Sequence, residues 1–226
     1  RLGLIQENIA SAARSVERNP DDVTLIVVTK FHPESLVREL YDLGVRNVGE
    51  NRHQEASEKA RACSDLDLTW HFIGQLQSNK ARAALEYADV LHSVDRLSLV
   101  EAVEKAWSAP EPQLSRPAID CFIQLNLTDD SGRGGVSPAD VEPFAERILE
   151  SQAFNLLGVM AVAPLDEEPA RAFERVASAS HTVRSLNPDA RFISAGMSHD
   201  FAEAIACGAT HLRIGTAITG NRPVAG

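Results

Sequence analysis

The chain has 226 residues, of which 44% are hydrophobic, and its formal net charge at pH 7 is −10. The acidic charge argues against nucleic acid as the main partner, because phosphate backbones attract basic surfaces, and neither a secretory signal nor an apolar run approaching the ~18 residues of a membrane span is visible. The three widely spaced cysteines argue against a disulfide framework or a cysteine-rich metal site and favour a reducing, cytoplasmic compartment.

Strand-like and helix-like segments alternate along the whole chain. A first helix is predicted over Leu2–Glu17. The apolar runs then predict eight strands, at Val23–Thr29, Asn47–Gly49, Thr69–Gly74, Asp89–Ser93, Ile119–Asn126, Leu156–Ala161, Arg191–Ser194 and His211–Ile214. Helices are expected between and after them, at Pro33–Leu43, Asn51–Ala62, Asn79–Tyr87, Arg96–Trp107, Pro138–Glu150, Glu168–Leu186 and Ser198–Ala206.

This alternation predicts the fold class. Strands separated by helices favour a parallel sheet, and eight repeats in this length favour closure into a TIM-type (β/α)8 barrel. We therefore expect an α/β protein with one barrel domain over residues 1–226 and an extra N-terminal helix. An open doubly wound sheet is the alternative, and the native start of the chain is expected to lie upstream of Arg1.

Lys30, directly after the first predicted strand, is the most informative residue. The C-terminal ends of barrel strands form the face that carries active sites. A lysine there either extends its amine into water or, when partly desolvated, acts as a nucleophile that forms a Schiff base. Polar residues at the other strand ends favour the second interpretation. They are Gly49-Glu50-Asn51, His71 to Lys80, His92, Asp95, Gln124, Asn126, Met160, Ser194 to Ser198, and Arg213 to Thr216.

Two glycine motifs near the C-terminus indicate a phosphate site. In Arg213-Ile-Gly-Thr216, Gly215 allows the backbone to approach an anion and Thr216 adds a hydroxyl. Gly196-Met-Ser198 places a second hydroxyl at the start of a predicted helix, where free N–H groups favour anions. Each motif alone is slightly more typical of an ordinary glycine turn or a serine helix cap than of a phosphate site. Together, on the loops after strands seven and eight, they predict phosphate binding.

The histidines and the remaining loop residues suit several different roles. Strand alternation turns Trp70 and Phe72 to one face and His71 to the other, so His71 is either a core histidine or a site residue. No histidine spacing suits a dedicated metal site. Surface positions are predicted for His53, His181 and His199, a solvated helix position for Lys80, a rim loop for Ser131–Gly135, and an exposed connection marked by Pro110, Pro112 and Pro117.

A set of motifs in this order resembles the pyridoxal phosphate homeostasis protein family, single-domain relatives of the N-terminal barrel of alanine racemase. The motifs are Thr29-Lys30, Gly49-Glu-Asn51, Trp70-His-Phe-Ile-Gly74, Leu76-Gln-Ser-Asn-Lys80, Gly158-Val-Met160, Gly196-Met-Ser198 and Arg213-Ile-Gly-Thr216. Ala195 and Arg133 depart from residues common in that family, but neither change removes a group that the cofactor chemistry needs.

The resemblance implies a binding site for pyridoxal 5′-phosphate (PLP). Lys30 would hold PLP as an internal aldimine. Ser198, Gly215 and Thr216 would hold its phosphate, and Arg213 would face the pyridine nitrogen. Asn51 and His71 would lie beside the ring, and Met160 would line the pocket.

These residues favour a carrier over a catalyst. An arginine cannot accept a hydrogen bond, so the pyridine nitrogen facing it would stay unprotonated and the ring would be a weak electron sink. Racemisation needs a base on each face of the substrate carbon, and Lys30 can serve only one face. The only tyrosines, Tyr41 and Tyr87, fall in predicted helices and not at strand ends, so no second base is evident. We expect no catalytic residues and no metal.

The predicted function is reversible PLP binding and PLP homeostasis in the cytoplasm by a monomer. The predicted partners are PLP and, by the resemblance, PLP-dependent apo-enzymes. One alternative is a small PLP-dependent amino acid racemase. The other is a phosphate-binding barrel enzyme in which Lys30 forms a Schiff base with a sugar without PLP.

Overall fold

A computed structural model describes residues 1–109, 117–130 and 132–220. Eight parallel strands close into a barrel in sequential order, which confirms the predicted (β/α)8 fold. The strands are β1 Thr24–Val28, β2 Asn47–Glu50, β3 Thr69–Phe72, β4 Val90–Val94, β5 Ile119–Gln124, β6 Phe154–Met160, β7 Phe192–Ser194 and β8 His211–Ile214. Pro110, Pro112 and Ser131, for which loop positions were predicted, lie outside the described residues.

Helices follow the strands and surround the barrel. They are α1 Leu2–Ser15, α2 Glu34–Asp42, α3 His53–Ala62, α4 Ala81–Ala84, α5 Leu97–Trp107, α6 Val141–Leu149, α7 Pro169–Leu186, α8 Phe201–Ala206 and α9 Thr216–Thr219. Short 3₁₀ turns occupy Pro20–Asp22, Ser78–Lys80 and Pro138–Asp140. Within the described ranges, the protein has no helix long and apolar enough to cross a bilayer.

Several helix predictions were wrong in their bounds by up to three residues. The helix predicted over Asn79–Tyr87 ends at Ala84, because the Tyr87 and Ala88 N–H groups both donate to the Ala84 carbonyl and turn the chain into β4. The helix predicted from Ser198 begins at Phe201. Ser198 lies in the preceding turn, in which the Met197 N–H donates to the Asp200 Oδ1 at 2.5 Å.

Closure of the barrel places β1 between β2 and β8. Val27 pairs with Val48 on one side, and Ile26 pairs with Arg213 on the other. The residues that follow these strands therefore share one end of the barrel. This register brings the ends of the first, second and eighth strands together although they are far apart in the sequence.

The strands present one face to the helices and the other to the barrel interior. Trp70 and Phe72 pack into the main hydrophobic core, and His71 faces inward, as alternation predicted. A small apolar cluster of Val90, Phe122 and Met160 lies in a separate layer of buried side chains. The interior also holds the buried polar side chains of His71, His92, Ser194 and Arg213.

The predicted strands include His92, Ser194 and Arg213 near their C-terminal ends, and the structure confirms this. All three belong to strands, and the side chains of all three are buried in the barrel interior.

Gly158, in β6, is required by the packing of the sheet. Its φ is +150°, which L side chains rarely adopt, and an added Cβ would lie 1.9 Å from the Phe192 carbonyl oxygen of β7. Backbone atoms of a neighbouring strand cannot move away without a large cost in free energy, because the interior is closely packed. Gly3, at the exposed start of α1, has nothing within 4 Å of an added Cβ.

We therefore expect Gly158→Ala to lower the free energy of unfolding by about 2–3 kcal/mol, through overpacking and backbone strain. Gly3→Ala is the matched control and is expected to leave stability unchanged or slightly increased. Urea unfolding followed by circular dichroism measures both. Equal stability of the two variants would contradict this account of the β6–β7 packing.

Candidate functional site

Lys30 is half-buried at the end of β1, and its backbone is fixed on both sides. The Thr29 N–H continues the sheet by donating to the Gly49 carbonyl at 3.0 Å. The Phe31 N–H donates to the Glu55 Oε2 at 3.0 Å, and Phe31 takes a left-handed φ of 66°. A left-handed non-glycine residue is strained and needs such support. The turn therefore holds the Lys30 backbone in one position.

A buried ion pair supports this turn from α3. The Lys59 ammonium donates to the Thr29 carbonyl at 2.9 Å and to the Glu50 Oε1 at 2.7 Å. The same Glu50 oxygen accepts from the Thr29 hydroxyl at 2.6 Å. Glu50 is 1% exposed and Lys59 is 7% exposed, so the pair is almost fully desolvated. Burial raises the pKa of Glu50, and Lys59 and Thr29 oppose that rise.

A cavity of about 260 Å³ lies at this end of the barrel. Six of the residues predicted to bind the cofactor line it: Lys30, Asn51, Ser198, Arg213, Gly215 and Thr216. Five further lining residues were not predicted as site residues: Val28, Ile73, Val162, Met197 and His199. His199, which was predicted to be a surface residue, is exposed but borders the cavity.

Two features of the cavity fit a ligand. The Asn51 Oδ1 is buried and has no hydrogen-bond partner among the described residues, and a buried acceptor of this kind is costly unless something donates to it. A Cβ added to Gly215 would make only ordinary contacts, the nearest being 3.4 Å from the Val28 Cβ. Packing within the protein therefore does not require glycine at position 215, whereas close approach of an anion to the backbone does.

Arg213 is held in the barrel interior by neutral groups. Its Nη1 donates to the Ser194 hydroxyl at 2.6 Å and its Nη2 donates to the Ala161 carbonyl at 2.8 Å. Burial lowers the pKa of Arg213 to about 10, against a smaller raising effect of Asp200. The guanidinium is therefore positively charged at neutral pH while it borders the cavity.

The other two predicted binding residues lie deeper than the cavity lining. The His71 imidazole contacts His92 and Asn47, each at 2.9 Å. Met160 is 2% exposed and packs with Val90 and Phe122. Neither residue borders the cavity, so the structure does not bring them together with the six that do.

Both tyrosines lie away from the cavity. Tyr41 belongs to α2, where the Arg46 guanidinium lies 3.9 Å from its ring centre. Tyr87 borders a larger groove of about 390 Å³ on the outer wall, together with Cys63 and Trp70. We assign the site to the smaller cavity because the polar strand ends converge there. Across the described ranges, no cluster of three or more His, Cys, Asp or Glu side chains suits a metal ion.

The sequence is similar to known proteins along almost its whole length. It matches the family described as "Alanine racemase, N-terminal domain" over residues 1–223. It is 36% identical to the "Pyridoxal phosphate homeostasis protein" of Mycobacterium bovis over 235 residues, which cover 98% of this chain and 91% of that protein. The protein of the same name from Escherichia coli K12 is 36% identical over 227 residues, which cover 98% and 95%.

Solved structures resemble the fold as well. PipY from Synechococcus elongatus PCC7942, solved with PLP bound, superimposes with a TM-score of 0.80 at 36% identity, covering 94% of this chain and 100% of that chain. Alanine racemase from Corynebacterium glutamicum superimposes with a TM-score of 0.71 at 16% identity, covering 98% of this chain and 62% of that chain. The second likeness concerns the fold alone.

The Glu50–Lys59 pair leads to a stability prediction. Lys59→Met removes the ammonium and leaves a buried carboxylate, so the free energy of unfolding at pH 8 should fall by about 3–5 kcal/mol. Without Lys59 the pKa of Glu50 rises further. A carboxyl whose pKa is higher in the folded state loses stability as pH rises through that pKa. The deficit of Lys59→Met, meaning its loss in free energy of unfolding relative to wild type, should therefore be smaller at pH 5 than at pH 8.

Urea unfolding of Lys59→Met at the two pH values measures this effect. The matched control is the double variant Glu50→Gln/Lys59→Met, which has no carboxyl at position 50, so its deficit relative to wild type should vary less with pH. A deficit in Lys59→Met that is the same at both pH values would show that the buried carboxyl is not its source.

Proposed function

The chain belongs to the alanine racemase N-terminal domain family, and from this premise we propose that it binds PLP reversibly through Lys30 and acts in PLP homeostasis. The observation that carries the proposal is the convergence of six binding residues predicted from the sequence on one cavity at the C-terminal ends of the strands. Relatives named as pyridoxal phosphate homeostasis proteins, and PipY with PLP bound, support it.

Lys30 is the proposed covalent anchor. PLP supplies an aldehyde, and its carbonyl carbon forms a C=N bond with the unprotonated Lys30 amine while the carbonyl oxygen leaves as one molecule of water. Hydrolysis reverses the bond, which suits a protein that holds and releases the cofactor. The fixed backbone on both sides of Lys30 limits where its amine can reach.

The phosphate is assigned to the loops after β7 and β8. Ser198 and Thr216 supply hydroxyls, and Gly215 leaves space for an anion against the backbone. Thr216 begins α9, so its N–H is one of the groups that a helix leaves free at its start. Arg213 is assigned to the pyridine nitrogen, and Asn51 to the side of the ring, where its buried oxygen can accept a hydrogen bond.

We propose a carrier rather than a strong catalyst. A guanidinium has only donors, so Arg213 favours the unprotonated form of the ring nitrogen and weakens the ring as an electron sink. Racemisation also needs a second base on the opposite face of the substrate carbon, and neither Tyr41 nor Tyr87 borders the cavity. The protein would limit the free aldehyde and pass PLP to apo-enzymes in the cytoplasm.

Lys30→Ala tests the anchor. We expect the wild-type protein mixed with PLP to show a visible Schiff-base band and, after borohydride reduction, a phosphopyridoxyl mass on the Lys30 peptide. The variant should show neither. Its thermal stability should be close to that of wild type, because removing a half-buried rim side chain creates no large core cavity.

Lys80→Ala is the matched control, since Lys80 is exposed near the same end of the barrel, and it should retain both signals. A reduced adduct of equal yield on the Lys30→Ala variant would refute the anchor. A colourless wild-type protein that instead traps a sugar phosphate would favour the Schiff-base enzyme without PLP.

The carrier assignment has a separate test. The loaded protein, incubated with L-alanine in deuterated water, should exchange the Cα proton no faster than free PLP at the same concentration, whereas it should restore activity to a PLP-dependent apo-enzyme. Exchange well above the level with free PLP would identify a racemase. Failure to activate the apo-enzyme would argue for sequestration without delivery.

A further inference from the structure

A continuous chain of hydrogen bonds runs through the barrel interior. The Arg213 Nη1 lies 2.6 Å from the Ser194 Oγ, and that oxygen lies 2.9 Å from the His92 Nδ1. The His92 Nε2 lies 2.9 Å from the His71 Nδ1, and the His71 Nε2 lies 2.9 Å from the Asn47 Oδ1. Four of these side chains are 5% exposed or less, and Asn47 is half-buried.

This chain of hydrogen bonds connects the two ends of the barrel. Arg213 borders the cavity at the C-terminal ends of the strands. Asn47 is the first residue of β2 and therefore lies toward the opposite end. The contacts join four strands, β2, β3, β4 and β7, to β8. The site already described uses only the Arg213 end of this chain.

The chemistry of arginine determines which atom donates and which accepts in each of these hydrogen bonds. A guanidinium only donates, so the Ser194 oxygen accepts from Arg213. The Ser194 O–H then donates to the His92 Nδ1. His92 carries its proton on Nε2 and donates to the His71 Nδ1, and His71 in turn carries its proton on Nε2 and donates to Asn47. Both imidazoles are therefore neutral and have the same tautomer.

The opposite direction fails at Ser194. If the His92 Nδ1 carried a proton, it would donate to the Ser194 oxygen, which already accepts from Arg213. The Ser194 O–H would then have no acceptor among the described residues, at a side chain that is 0% exposed. A buried donor without an acceptor loses its hydrogen bond to water and gains none in return, so the first direction is favoured.

The electrostatics of the interior agree with neutral imidazoles. Burial, together with a smaller effect of the nearby His211, lowers the pKa of His71 to about 3. The pKa of His92 is well below its usual range because of burial, with His71, Arg213 and His211 adding to the effect. Neither ring therefore competes with Arg213 for the positive charge near neutral pH.

We infer that Ser194 and His92 are positioning residues for Arg213: a hydrogen-bond chain of fixed direction presents the Ser194 oxygen to the guanidinium and so sets the orientation in which Arg213 faces the cavity. The inference rests on the proposed function for what Arg213 meets there, the PLP ring nitrogen. Every proton in the chain points away from Arg213. The chain therefore holds the guanidinium without offering a proton to the ring.

The first measurement concerns the protein without PLP. In ¹⁵N–¹H correlation spectra at pH 7, His71 and His92 should both be neutral and protonated on Nε2. The Arg213 guanidinium N–H protons should exchange slowly with solvent. A His92 signal protonated on Nδ1, or a charged His92 at this pH, would overturn the inference whether or not the protein binds PLP.

The second measurement uses Ser194→Ala. We expect the Arg213 N–H protons to exchange faster, His92 to lose its single tautomer, and the affinity for PLP to fall by about tenfold, the factor expected for a lost hydrogen bond to a charged group. The Lys30 adduct should still form after reduction. Ser194→Thr keeps the hydroxyl and should restore slow exchange and affinity.

Ser180→Ala is the matched control, because Ser180 is a buried serine on α7, outside the barrel. It should change none of these signals.

Wild-type affinity and wild-type Arg213 exchange in Ser194→Ala would refute the inference while leaving the proposed function intact. If Ser194→Ala does not fold, the wild-type spectra still decide the direction of the chain. If wild type binds no PLP, the function fails and the spectra and exchange rates still test the inference.

Discussion

Closure of the parallel sheet is the constraint on which the rest of the structure depends. Hydrogen bonding between β1 and β8 removes both sheet edges and places Lys30 beside residues that follow the last strand. The cavity exists because loops after β1, β2, β7 and β8 meet at one end of the closed barrel. A sheet left open between β1 and β8 would separate the lysine from Arg213 and Gly215 and divide the site in two.

Closure also buries polar side chains in the barrel interior, where they need hydrogen-bond partners. The protein satisfies this demand in two places. At the mouth, Lys59 and Glu50 neutralise each other while both fix Thr29. In the interior, neutral side chains form a series of hydrogen bonds that links Arg213 to Asn47. In both places the polar contacts position a basic residue that lines the cavity, Lys30 or Arg213, so the hydrogen bonds that compensate for burial also define the site.

The sequence predicted the fold well because buried parallel strands read as short apolar runs separated by amphipathic helices. The polar residues at the strand ends and the family resemblance together predicted the six cavity residues. It did not predict the partnership of His92 with Ser194, which are 102 positions apart. Nor did it identify Lys59, which looks like any charged residue of a surface helix until α3 is packed against β1.

Gly215 carries a consequence for how such a protein can change over generations. An alanine at this position would meet only ordinary contacts within the protein, so the packing of neighbouring atoms does not require the glycine. At Gly158 the opposite holds, because the neighbouring backbone excludes any side chain. Folding and ligand binding thus constrain different glycines of one barrel. A lineage that no longer needed the ligand would be free to lose the first while still keeping the second.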